Sequence, residues 1–133
     1  MMDAANAFNS LNRASMKLEV FKKWPSAARF VSNCYGGDAL MVTNNREDNI
    51  TSREGVTQGD PLSMHCYAIA TLPLIRQTRR EGVMQAWHAD DGAGAGENTR
   101  LRDWMISLIP DRAWSCIRIP SRAIQKYTDS RKS

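Results

Sequence analysis

At 133 residues, 42% apolar and 24% charged, the chain has the size and make-up of one ordinary globular domain. Eight Gly, five Pro and three Cys exclude collagen-like, low-complexity and disulfide-framework proteins. The formal charge of +4 is uneven: residues 1–111 hold 12 Lys+Arg against 13 Asp+Glu, and residues 112–133 hold 6 against 1, so the basic excess belongs to the last 22 residues.

Residues 9–24 place Leu11, Ala14, Leu18, Phe21 and then Val20 and Trp24 at three- and four-residue spacings, which predicts one amphipathic helix ended by Pro25-Ser26. Residues 27–35 predict a second helix stopped at Gly36-Gly37. Residues 40–53 predict two short strands around the polar turn at Asn44-Asn45. After a glycine-punctuated loop over 55–59, Pro61 suits the first turn of a helix running to about Arg80. Leu62, Cys66, Ile69, Ala70 and Leu74 form its apolar side, and Pro73 predicts a kink or an early end. Residues 83–88 predict a strand and Asp90-Asp91-Gly92 a turn, and residues 93–96 stay glycine-rich. Leu101, Trp104, Met105 and Leu108 then fall in helical register, and from Pro110 onward the pattern is lost. Helices alternating with short strands predict a mixed α+β domain over residues 1–109 and a basic tail over 110–133.

Cys34, Cys66 and Cys116 are far apart and in no CxxC spacing, which points to a reducing, intracellular setting. With no 18-residue apolar run and no signal-peptide pattern at Met1-Met2-Asp3, neither membrane insertion nor secretion is expected.

Three carboxylates stand out by context. Asp3 lies in Asp3-Ala-Ala-Asn-Ala-Phe8, and Asp90-Asp91 follows an apolar strand and precedes glycines. Neighbouring side chains on a strand point to opposite faces, so a tight turn is needed for both members of the pair to approach one site. Carboxylates converging from two strands suit Mg²⁺, which takes one or two of them and completes its shell with water and substrate phosphates. Taken alone, Asp-Asp-Gly reads as a surface turn and Asp3 as a solvated or capping residue. The stretch Glu54-Gly-Val-Thr-Gln58-Gly59-Asp-Pro61 reads either as a binding loop or as the lead-in to a helix.

In their order, Asp3-Ala-Ala-Asn-Ala-Phe8-Asn-Ser-Leu-Asn-Arg13, Glu54-Gly-Val-Thr-Gln58-Gly59-Asp-Pro61-Leu62-Ser-Met64, Tyr67-Ala-Ile-Ala70 with Pro73-Leu-Ile75, and Trp87-His-Ala-Asp90-Asp91 resemble the palm of reverse transcriptases encoded by non-LTR retrotransposons. His88 stands where that family usually carries Tyr or Phe. The resemblance implies an α+β palm, a small antiparallel sheet packed on helices, truncated and lacking fingers and thumb, which would belong to a longer polyprotein. It also implies an RNA-directed DNA polymerase in which Asp3 and Asp90 hold two Mg²⁺ ions and Asp91 supports them. Phe8 would exclude a 2′-hydroxyl from the incoming dNTP, and Gln58 and Gly59 would pack on the RNA template and the nascent pair at the DNA primer end. Without fingers and thumb, little polymerase activity is expected of these residues alone. A non-catalytic RNA-binding or interaction remnant, using the basic tail, is the alternative.

Overall fold

Strand β5 (Asp91–Gly96) carries no side chain larger than a methyl after Asp91, and that composition decides what packs on it. The computed structural model describes residues 2–3, 6–42 and 50–108. Strand β4 (Val83–His88) pairs antiparallel with β5 from Val83↔Gly96 to His88↔Asp91, and β1 (Met2–Asp3) pairs on the other side of β5, giving the order β1-β5-β4. A Cβ added at Gly92 would lie 2.8 Å from the Trp87 ring, and one at Gly94 would lie 2.5 Å from the Trp104 ring. The glycines therefore let two indoles approach the backbone of β5 closely. Trp104 comes from α5 (Asn98–Ser107), is 2% exposed and meets Trp87 edge-on at 6.3 Å between ring centroids. Both indole N–H groups donate to Gln85 Oε1, at 3.1 and 3.2 Å, and Gln85 Nε2 donates to the Ile75 carbonyl, tying the sheet to the neighbouring helix.

That helix, α4 (Ser63–Gln77), runs through Pro73. Proline removes one helical hydrogen bond, but Leu74 just after it is 2% exposed, and Thr78 Oγ1 donates to the carbonyls of Leu74 and Ile75. Burial and capping of the last turn thus carry the helix beyond Pro73, where a kink or an early end was predicted, to Gln77, three residues short of Arg80.

The N-terminal region is two helices instead of the single one predicted over 9–24. Helix α1 (Ala7–Ser10) ends at an extended Leu11-Asn12 pair, and α2 (Arg13–Lys23) restarts with Asn12 Oδ1 accepting from the Ser15 amide. An asparagine in N-cap geometry explains the restart. The buried face of α2 also differs from the predicted one: Arg13, Met16 and Val20 point inward, while Leu18 is 54% and Phe21 67% exposed. Both stripes obey helical spacing. The one that wins contains Arg13, whose hydrogen bonds fix how the helix is turned. Helix α3 (Pro25–Cys34) buries Ala28 and Val31, and α2 lies against both α3 and α4.

Strands β2 (Ala39–Met41) and β3 (Ile50–Ser52) form the predicted antiparallel pair, and the Asn44-Asn45 turn between them lies outside the described residues. The glycine-rich run over 93–96, to which the sequence assigned no element, belongs to strand β5, which already begins at Asp91 within the predicted turn. Alanine and glycine carry little strand propensity, so pairing with β4 along its whole length, and with β1 at Asp91 and Gly92, decides its conformation. The mixture of helices and small antiparallel sheets matches the predicted α+β class. No helix among the described residues is long and apolar enough to cross a membrane. The basic tail lies outside the described residues.

Candidate functional site

The β4–β5 hairpin turns over just Ala89 and Asp90. Ala89 has φ 53°, in the left-handed region that glycine normally takes. An alanine there costs about 1–2 kcal/mol. The turn brings Asp90 to the tip and leaves Asp91 as the first residue of β5. Asp91 is the Cα partner of Asp3 on one side and of His88 on the other, so Asp3, Asp91 and His88 form one row across the three strands. The backbone thereby brings Asp3 beside the aspartate pair, as convergence of the carboxylates requires. Asp91 and His88 are exposed, and Asp90 is half-buried. Among the residues whose side chains are described, which exclude Asp3, no cluster of three His, Cys, Asp or Glu forms.

Phe8 sits on α1, a few residues after β1, half-buried, and its ring stacks on the buried Tyr67 of α4 with centroids 4.6 Å apart and planes 23° from parallel. The Phe8 carbonyl accepts from the Val56 amide at 2.8 Å and the Leu11 carbonyl accepts from the Gly55 amide at 2.7 Å, so the 55–60 loop is sewn to the segment that follows β1. At the far end of the loop the Asp60 amide donates to the Thr57 carbonyl at 3.2 Å, closing a turn with Gln58 and Gly59 at its corners. Gly59 has φ 89°, as a type II turn requires at that corner. Thr57, Gln58 and Gly59 are all exposed.

Two residues that hold this loop carry no role in the sequence motifs: Arg13 closes the first motif without one, and Tyr35 lies in none. Arg13 is 9% exposed, and Nε donates to the Gly55 carbonyl at 2.8 Å. Its Nη1 donates to the carbonyls of Gly37 and Ser52, both at 3.1 Å, and Nη2 to Ser52 Oγ at 3.3 Å. Tyr35 is buried, and its hydroxyl donates to Asp60 Oδ2 at 2.5 Å, while Asp60 Oδ1 accepts from the Leu62 amide at 3.0 Å. A charged residue inside an apolar stripe, Leu11, Arg13, Met16, Val20, was the signal in the sequence for Arg13. Tyr35 had none, since its partner lies 25 residues away.

These contacts shift both ionisations. The Tyr35 hydroxyl, and then the Leu62 amide, hold the Asp60 carboxyl below its ordinary range. Burial, and then the bond to Asp60, push the Tyr35 hydroxyl up to about 12. For Asp60 the lowered value contributes stability above the unfolded carboxyl pKa of about 4, and this is lost as pH falls through the folded value. For Tyr35 the contribution is complete below about pH 10 and is lost as pH rises towards 12. The stability difference between the wild-type chain and Tyr35→Phe should therefore be flat at neutral pH and shrink between pH 10 and 12 in urea unfolding. A difference that stays constant through that window would rule out the shift.

No family model matches this chain, and no curated protein or solved structure matches it either.

Proposed function

We propose that this chain is a reverse-transcriptase palm segment that takes part in RNA-templated transfer of a dNTP to a primer 3′-hydroxyl. The observation that carries the reading is the pairing of Asp3 with Asp91 across neighbouring strands, with Asp90 at the adjoining hairpin tip. Aspartates at paired positions on two neighbouring strands, with a third at the hairpin tip, suit Mg²⁺, which takes one or two carboxylates and keeps water and phosphate in its shell. Asp3 and Asp90 would hold the ions and Asp91 would support them. When bound, the ions lower the pKa of the attacking hydroxyl and neutralise charge on the leaving oxygen. In the reaction a bond forms between the primer 3′-oxygen and the α-phosphorus, the bond from the α-phosphorus to the bridging oxygen breaks, and pyrophosphate leaves.

The remaining residues orient the reactants. Phe8, its ring braced by stacking on Tyr67, would exclude a 2′-hydroxyl from the incoming nucleotide. Gln58 and Gly59 offer an exposed, polar, backbone-accessible corner against which the template and the new base pair rest. The body of the chain is close to charge balance, so this reading relies on placed groups rather than on a general attraction to phosphate.

Isothermal titration with Mn²⁺ in the presence of an RNA–DNA hybrid tests the reading. Asp90→Asn should weaken ion binding at least about tenfold, since removing one of few charged oxygen ligands costs a large share of the affinity for a hard cation. Equal ion binding by the wild-type chain and Asp90→Asn would overturn it. Hybrid binding that needs no ion and survives Asp90→Asn would favour a non-catalytic nucleic-acid-binding role.

A further inference from the structure

The loop of residues 55–60 is gripped at both ends by side chains that also touch each other. At its start Arg13 Nε holds the Gly55 carbonyl at 2.8 Å, and at its end the Tyr35 hydroxyl holds Asp60 at 2.5 Å. The Arg13 guanidinium carbon lies 5.8 Å from the centroid of the Tyr35 ring, within cation–π range. The chain Gly55, Arg13, Tyr35, Asp60 thus closes the mouth of the loop, while Thr57, Gln58 and Gly59 stand outside it in solvent.

We infer that Arg13 and Tyr35 are positioning residues, a two-residue bridge that holds the Gln58-Gly59 corner ready for a nucleic-acid duplex. The inference rests on the polymerase reading for the identity of the ligand, and on the described contacts for the bridge itself. Three features separate this arrangement from ordinary core packing. Three of the four hydrogen bonds of Arg13 go to backbone carbonyls, those of Gly37, Ser52 and Gly55, and the fourth to Ser52 Oγ, so the guanidinium fixes backbone positions directly. The Tyr35 hydroxyl makes a charge-assisted bond, the stronger kind, to the residue that ends the exposed corner. The corner itself, Gln58 and Gly59, is exposed, so its conformation is set from its two ends. A surface loop fixed in this way avoids the ordering cost that a mobile one would meet on binding.

A double-mutant cycle distinguishes positioning from plain stabilisation. Tyr35→Phe keeps the ring that Arg13 covers and removes only the hydroxyl, so the chain should remain folded. The probe is a fluorescent RNA–DNA template–primer hybrid, read by anisotropy with Mn²⁺ present. Gln58→Ala should weaken hybrid binding roughly tenfold and Tyr35→Phe roughly fivefold, the scale of one lost polar contact to a charged or ordered partner. If Tyr35 acts through the corner, Tyr35→Phe should cause almost no further loss once Gln58 is alanine, since coupled residues are not additive. Equal losses from Tyr35→Phe in both backgrounds, or no loss in either, would overturn the inference while leaving the polymerase reading intact. A wild-type chain that does not bind the hybrid at all would overturn both.

Discussion

Gly55→Ala should lower the stability of the chain by about 2–5 kcal/mol. Gly55 has φ 81°, which costs an L-residue about 1–2 kcal/mol. A Cβ there would also stand 2.5 Å from Asn9 Cα and 2.6 Å from the carbonyl oxygens of Phe8 and Asn9. These are backbone atoms, so no rotamer change relieves the overlap, and overpacking of this kind costs about 1–3 kcal/mol more. Relief by moving the loop would break the Gly55-to-Leu11 and Val56-to-Phe8 hydrogen bonds. Urea unfolding measures the effect, with Gly37→Ala as the control: a Cβ at Gly37 meets nothing within 4 Å and its φ is ordinary, so a change of only about 0.5 kcal/mol is expected. Similar losses for the two variants would show that the loop does not press on α1 as described.

Arg13→Met should cost about 3 kcal/mol and Arg13→Lys a smaller but clear fraction of that. Methionine keeps most of the buried stem and its apolar contacts while removing every donor. The carbonyls of Gly55, Gly37 and Ser52 then lose their partner, and a buried acceptor left without one costs about 1–3 kcal/mol, less where water reaches it. Lysine offers one compact ammonium in place of a planar fork and cannot reach three segments at once. Denaturant midpoints should rank wild type, Lys, Met. Hydrogen exchange should quicken first at the Gly55 and Val56 amides, which pair with the segment Arg13 anchors. A midpoint for Met at or above that of wild type would show that the buried charge costs as much as it returns, as happens where ion burial outweighs its contacts.

How much of this was legible in the sequence depended on how local the cause was. The β4 strand, α5 and the β2–β3 pair follow from side-chain period and turn residues, and they stand within a few residues of where those patterns end. Strand β5 was missed because alternating glycine and alanine carries no strand signal of its own: its conformation comes from its neighbours and its composition from the two indoles it must admit. The turn of α2 about its axis was misjudged for a related reason. Leu18 and Phe21 looked like core by hydropathy, yet the inward face was chosen by the hydrogen bonds of an arginine. At the candidate site, the residues Asp3, Phe8, Gln58, Gly59, Asp90 and Asp91 stood in motifs that a reader could pick out. Arg13 and Tyr67 stood in those motifs without a role and Tyr35 in none, because all three act through contacts between residues far apart in the chain.

The alanine and glycine strand has one more consequence, optical rather than mechanical. Because β5 bears nothing larger than a methyl beyond Asp91, only one thickness of backbone separates the solvent face of the sheet from the indoles beneath it. Trp87 is the Cα partner of Gly92, the residue that directly follows the aspartate pair. The sheet thus carries its own fluorophores one layer below the candidate site, and paramagnetic ions or stacked bases arriving at the hairpin can be followed through tryptophan emission with no label attached.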